Sequence, residues 1–498
     1  MPGFKRAFLW ASAGRYLVTV IGLATTVIMA RLLSPGEYGL SVLGTTVILV
    51  AEGIRSLAGG SYLVQTKELS SDQIRTSCTI SLIVTLVMMS TLALLARPIA
   101  AYYANPVLER YLQVIGISYL MGPFSYPIMS LMTREMAFER LALIGVVTAV
   151  VNGIMSIVLA KLNFSAMSYA WASVGSAVSG VLLSLFFYPN LSIFRPLLRE
   201  WRSVLGFGVF DSATTVLHRL TENLFYLILG RLLSVEAVGL WQRAFLLAGF
   251  PERVILAGFG AVALPAFSER VRQGQALKES YLRAIEYITA VEWPPLMLLV
   301  FLAHPIVEIV LGQQWLAVAP LLQIFAGAFL LNFPLALEYP TLVAAGAIRY
   351  LPAIGLAQAT VFTGLWWLGT ASYGLYGGAV SMLVIVPVNI FISLLVVRSQ
   401  VPFSCGELAS AMQKSIVLLG LSAAGPIIIL ISSGWRGDVS IQTAVVAVIL
   451  CAIGWIYGLR LTRHPLAQDV FGALDALRSN SIATRVLAAR VRLFGGWR

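Results

Sequence analysis

The sequence predicts an all-α polytopic membrane protein of about fourteen transmembrane helices, built as two parallel six-helix repeats around a central cavity plus two C-terminal helices. Three observations carry that expectation. Of 498 residues, 59% are hydrophobic and only 11% charged, with a mean hydropathy of +0.87, outside the range of soluble globular chains. Apolar runs long enough to cross a bilayer follow one another from residue 16 to residue 461, with connections too short to hold a soluble domain. A ten-residue motif is also written twice: Arg31-Leu-Leu-Ser-Pro-Gly-Glu-Tyr-Gly-Leu40 returns as Arg231-Leu-Leu-Ser-Val-Glu-Ala-Val-Gly-Leu240, with six of ten positions identical.

Each copy of the motif joins two apolar runs. Ser34, Pro35 and Glu37 suit the cap, first turn and capping-box positions of a new helix, and Ser234 with Glu236 offers a looser version. Two more words recur in the same order: Leu95-Ala-Arg-Pro-Ile99 as Leu302-Ala-His-Pro-Ile306, and Leu112-Gln-Val114 as Leu322-Gln-Ile324. Ordered recurrence at a nearly constant offset marks an internal duplication. The predicted organisation is an N-terminal lobe over 1–188, a cytoplasmic linker over 189–203, a C-terminal lobe over 204–400, two additional helices over 401–461 and a basic tail over 462–498 that is suited to anionic lipid. After each Pro-Ile word, Ala100 to Arg110 and Val307 to Trp315 read as amphipathic stretches lying in the membrane interface.

The formal charge of +12 is a topology signal. With the N-terminus inside, 24 Lys and Arg fall on cytoplasmic segments and 6 on outer ones, which places both termini in the cytoplasm and argues against a nucleic-acid partner. No small-residue cleavage site follows Lys5 and Arg6, so the first run is expected to be a full span. Cys78, Cys405 and Cys451 stand singly and imply neither disulfide nor metal site.

Ionised groups at bilayer depth each cost on the order of 3 kcal/mol and need a partner or water. They gather in two predicted helices of each lobe. Glu52 and Arg55 share a face three residues apart; Asp211, His218 and Glu222 form one stripe beside Arg219; Arg243, Glu252 and Arg253 follow, and Glu252 lies one motif offset after Glu52. Arg15 lies close to the repeat-equivalent of Arg219. Facing helices across a hydrated cavity would satisfy all of them, although the Glu52–Arg55 and Glu252–Arg253 neighbours also suit structural ion pairs. Glu292 beside Pro294 and Pro295, and Glu338 between Pro334 and Pro340, have no repeat counterpart and read as marks of kinked helices. There is no phosphate loop, HExxH or CxxC motif, and no large loop for an enzyme site.

From about Arg15 to Arg398 the chain resembles the polysaccharide-transporter branch of the multidrug/oligosaccharidyl-lipid/polysaccharide exporter superfamily, the lipid-linked oligosaccharide flippases. Ala30 to Gly39, Leu227 to Ser234, Val238 to Ala244 and Ala263-Leu-Pro-Ala-Phe267 carry the resemblance. Where members of the branch commonly have Asp six residues before the arginine matching Arg231, this chain has Phe225, with Glu222 a turn earlier.

The resemblance implies a non-enzymatic transporter of the bacterial inner membrane. It would move an undecaprenyl-pyrophosphate-linked oligosaccharide by alternating access for exopolysaccharide or O-antigen synthesis, with membrane lipids, a polymerase and other assembly proteins as partners. Arg15, Arg55, Arg219, Arg243 and Arg253 are the expected substrate-binding set, because guanidinium pairs phosphate oxygens bidentately. Glu52, Asp211, Glu222 and Glu252 are expected to balance them or to carry a coupling proton or sodium ion; no cofactor or metal is expected. Three rivals stay open: a lipid II flippase, a drug or cation exporter of the same architecture, which should have an acid-dominated cavity, and a membrane glycan polymerase or ligase.

Overall fold

The computed structural model describes residues 2–55, 57, 60–432, 440–468 and 471–472, apart from the side chains of 2–8, 50–51, 210–211, 214, 217–218, 221–222, 256–258 and 260–261. Among them there is no strand. A chain this apolar has to satisfy its backbone polar groups internally, and helices do so within one segment. They run α1 (Pro2–Leu32), α2 (Pro35–Arg55), α3 (Gly60–Gln65), α4 (Ser71–Tyr102), α5 (Pro106–Leu120), α6 (Gly122–Arg134), α7 (Phe138–Lys161), α8 (Met167–Phe187), α9 (Trp201–Leu232) and α10 (Val235–Ala248). They continue as α11 (Phe250–Arg272), α12 (Lys278–Phe301), α13 (Ala303–Val310), α14 (Val318–Phe329), α15 (Phe333–Ala336), α16 (Glu338–Ala344), α17 (Leu351–Gln400), α18 (Cys405–Ser432) and α19 (Ile441–Leu461).

Helix starts follow local chemistry. The Ser34 backbone N–H donates to the Glu37 carboxylate at 2.8 Å and the Glu37 N–H returns to Ser34 Oγ at 3.4 Å, the reciprocal box expected from the motif. In the second copy only the Ala237 N–H reaches Ser234 Oγ, at 3.1 Å. Ser70 with Gln73 caps α4 the same way, and Asn105 with Pro106 opens α5.

Nine of the described helices are long and apolar enough to cross a membrane, or eleven when the bent pairs α5–α6 and α14 with 333–344 each count as one span. The difference from the fourteen drawn on the sequence has named causes. α17 holds 50 residues, more than two crossings' worth, and is broken only at Tyr373–Gly374. There Gly374 takes φ 63° and ψ −149°, a conformation open essentially to glycine alone. α9 and α11 carry Asp211, Arg219, Glu222, Glu252 and Arg253, which interrupt their apolar runs.

Two compact units are present: 1–242 with 310–315, and 243–309 with 316–498. In the first, α7 packs against α1 and α8, α5 against α4 and α8, and α9 along α2. Its core gathers Leu40, Leu43, Leu108, Tyr111, Leu112 and Ala170. In the second, α12 packs against α14 and α18, α18 against α19, and α11 against α16, around Phe267, Tyr281, Ile285, Ile288 and Leu342. Residues 462–468 close this unit; His464 is buried beside Tyr287, and burial holds its imidazole below the usual range, so it packs as a neutral ring. The remainder of the basic tail apart from 471–472, and Arg436, lie outside the described residues.

The duplicated motif folds onto itself within the first unit. Gly39 and Gly239, at equivalent positions of the two copies, meet main chain to main chain: a Cβ on Gly39 would run into the Val235 carbonyl oxygen, and one on Gly239 into that of Pro35. Tyr38 donates its hydroxyl to Gln242 Oε1 at 2.6 Å and packs edge-on against Tyr169 and Trp315. The indole of Trp315 donates to the Ala30 carbonyl at 2.7 Å and the Gln314 amide to that of Leu33 at 2.9 Å, satisfying acceptors left over at the end of α1. The expectation that Val307 to Trp315 lies in the membrane interface is therefore corrected: Val307, Leu311 and Trp315 are fully buried in protein. Polar side chains in this stretch are there to cap a helix end.

Replacing either glycine by leucine should lower stability by about 1–3 kcal/mol, because the obstacle is a carbonyl oxygen fixed in a helix. Thermal unfolding of detergent-solubilised protein measures this, with Gly22→Ala, where a Cβ meets nothing within 4 Å, as the silent control.

Candidate functional site

The contact between α2 and α9 builds the site. Ser212 donates to the Gly53 carbonyl at 2.9 Å, Val216 packs onto Gly53, and Gly208 lies against the Leu57 carbonyl. This register sets the last turn of α2 beside the middle of α9. Around them is a cavity of about 240 Å³ lined by Glu52 and Arg55 of α2, Ser61 of α3, Ser77 and Ser81 of α4, Tyr126 and Ser130 of α6, and Thr215 and Arg219 of α9. Six hydroxyl side chains and two guanidinium groups line this space inside an apolar bundle. With Glu52 as the one carboxylate, the formal charge of the lining is +2 −1 = +1.

Arg55 is the centre of this arrangement. It pairs with Glu52 three residues back, and both side chains are largely buried. Its guanidinium carbon lies 3.6 Å from the centre of the Tyr126 ring and 6.0 Å from that of Tyr119, a cation–π contact with little competing water. Tyr126 reaches it because the chain bends by 43° between α5 and α6, where Gly122 replaces a side chain that would press on Arg55 Nη1 and on the ring. On the other side of Arg55 and Tyr126 is a second cavity of about 360 Å³, whose polar lining includes Thr45, Ser125, Thr148, Asn152 and Ser176. Arg55 and Tyr126 line both spaces and form the partition between them.

Of the residues singled out in the sequence, Glu52, Arg55 and Arg219 come together here. Arg15 is exposed on α1 and lines neither cavity. Arg243, Glu252 and Arg253 belong to the second unit: Arg243 is 2% exposed, Glu252 accepts from Asn332 Nδ2 at 3.1 Å, and Arg253 is exposed. The side chains of Asp211 and Glu222 lie outside the described residues. Sequence reasoning missed Tyr126 and the hydroxyl lining. The four-residue spacing of Ser77 and Ser81 in an apolar helix was a readable sign of a polar stripe; Tyr126 carried none, because a bend brings it in.

The helical architecture with polar cavities among its spans defines a polytopic membrane protein, and its fold is that of a solved membrane transporter. The lipid II flippase MurJ, in an inward closed conformation, superposes with a TM-score of 0.70 over 91% of this chain and 99% of that one, at 10% sequence identity. The polysaccharide biosynthesis protein family model matches residues 28–320, and the chain belongs to that family, bearing out the resemblance carried by the duplicated motif. Among curated relatives, the lipopolysaccharide biosynthesis protein WzxC of Escherichia coli (strain K12) is 23% identical over 333 residues, 65% of this chain and 66% of WzxC. The succinoglycan biosynthesis transport protein ExoT of Rhizobium meliloti (strain 1021) is 24% identical over 365 residues, 71% of each chain. The chain thus spans about two thirds of the length of these relatives.

Tyr126→Ala should free Arg55 and cost about 1–2 kcal/mol, while Tyr126→Phe keeps the ring face and should be near neutral. Unfolding midpoints of the two variants test whether the ring holds the guanidinium.

Proposed function

We propose that this protein is a flippase that carries an undecaprenyl-pyrophosphate-linked oligosaccharide across the bacterial inner membrane by alternating access, with both termini in the cytoplasm, for exopolysaccharide or O-antigen synthesis. One observation carries the reading: Arg55 and Arg219 share a small cavity whose other polar groups are hydroxyls and the single carboxylate of Glu52. A diphosphate requires guanidinium donors in paired geometry, and a sugar requires neutral groups that both donate and accept. The lining supplies both. Glu52 pairs with Arg55, and a phosphate that competes for the guanidinium would release it. Membership of a polysaccharide biosynthesis family and the transport named for ExoT support the same cargo class.

The lining of this cavity has more cations than anions, the reverse of what a drug or cation exporter needs. The likeness to MurJ favours lipid II as a second cargo, which has the same diphosphate and polyprenyl chemistry. Rescue of a conditional lipid II flippase strain by this protein would decide for that cargo.

Arg55→Ala and Arg219→Ala should each remove charge-assisted hydrogen bonds of about 1.5–3 kcal/mol, lowering apparent affinity by roughly 10- to 100-fold. The readout is polysaccharide export at matched protein levels. Arg15→Ala, which changes a residue lining neither cavity, should stay near wild type. Unimpaired export in both cavity variants would remove the cationic-site reading.

A further inference from the structure

In the second unit one acidic side chain has no counter-group. Glu292 on α12 is 1% exposed, and neither carboxyl oxygen meets a hydrogen-bond donor among the described residues. A bare carboxylate in that position would carry the cost of a desolvated, unpaired ion, several kcal/mol. No ion pair or hydrogen bond relieves this among the described residues. Pro294 and Pro295 lack N–H groups, so they free the carbonyls of Ala290 and Val291. The Ala290 carbonyl takes the Trp455 indole at 2.8 Å, and the neighbouring Trp293 indole donates to Leu330 at 2.7 Å. A neutral carboxylic acid tolerates such a position far better than a carboxylate does.

A second carboxyl lies within electrostatic reach: Glu252 on α11, held by the Asn332 amide. The other charged and titratable groups on elements packed against α12 have positions or partners of their own. α11 also presents Arg253, which is exposed, and Glu269, Arg270 and Arg272 in its last turns, Glu269 being paired with Arg272. α18 presents Glu407, paired with Lys278, Lys414, paired with Glu286 of α12, and Cys405. α19 presents Cys451, Tyr457 and Arg460, the turn after it presents His464 beside Glu286 and Tyr287 of α12, and α14 and α15 present none. α12 itself adds Glu279, Tyr281, Arg283 and Tyr287, all at least a turn away toward its start. Among the described residues no group of three or more acidic, His or Cys side chains is placed to hold a metal ion, whereas a proton needs only the carboxyl.

We propose that Glu292, with Glu252 as its like-charged neighbour, is a proton-binding site of the second unit whose loading and release drive the transport cycle. The coupling role rests on the flippase reading; the proton binding does not. Two carboxyls in one low-dielectric region cannot both ionise cheaply, so a proton taken by one is felt by the other. Glu292, read from the sequence as the mark of a kinked helix, lies in α12 two residues before Pro294 and Pro295.

The experiment uses the full-length protein in lipid nanodiscs and in cells. Infrared difference spectra across a pH step should show a buried protonated carboxyl that is lost in Glu292→Gln and kept in Glu292→Asp. Glu252→Gln, which leaves Glu292 in place, should keep the signal and change the pH at which it responds. In cells, the pH dependence of polysaccharide export should disappear in Glu292→Gln and persist in Glu292→Asp. A carboxyl signal unchanged in Glu292→Gln, or one that answers to sodium and not to pH, overturns the proposal. If the spectra behave as expected while an undecaprenyl-linked glycan is never moved, the proton site stands and the flippase reading falls.

Discussion

Two glycines touching through their main chains set the constraint on which the first unit depends. Gly39 and Gly239 approach so closely that neither helix can slide or roll without a carbonyl meeting a methylene. That crossing holds α2 against α10. The separate contact of α2 with α9, through Ser212 and Val216 on Gly53, brings Arg219 and Thr215 to the cavity that holds Arg55. Tyr38, Gln242 and Trp315 pack around the crossing and use up the polar groups that the helix ends leave open.

Local features were legible in the sequence. The capping box at Ser34 and the Glu52–Arg55 pair both depend on residues three apart, and both are present. The duplication was visible because a motif of ten residues survived twice, but its meaning was not, since nothing in either copy says that the two glycines touch. Tyr126 was unreadable for the same reason: a bend at Met121–Gly122 delivers it. The sequence drew spans over α9 and α11 and two over α17; it is the count of long apolar helices in the structure that their charges and the bent α17 lower. Glu292 was noticed for the prolines beside it, and the structure adds that its carboxyl meets no donor among the described residues.

The two units handle buried charge differently. In the first, opposite charges sit beside a cavity among hydroxyls, where a bound anion could exchange for Glu52 at modest cost. In the second, Glu292 is 1% exposed and meets no hydrogen-bond donor among the described residues. The first arrangement suits a ligand that arrives with its own charge, and the second suits the smallest neutralising species available. A transporter needs both kinds of response, one to the cargo and one to the source of free energy.

The short stretch 310–315 belongs to the first unit although the chain on either side of it belongs to the second. Gln314 and Trp315 cap the end of α1 from nearly three hundred residues away. A gene cut between the duplicated halves would therefore leave the amino-terminal fragment with open carbonyls at Ala30 and Leu33 and an empty slot where the indole belongs. This exchange makes the first unit dependent on later sequence: it is complete only after the ribosome has passed Trp315.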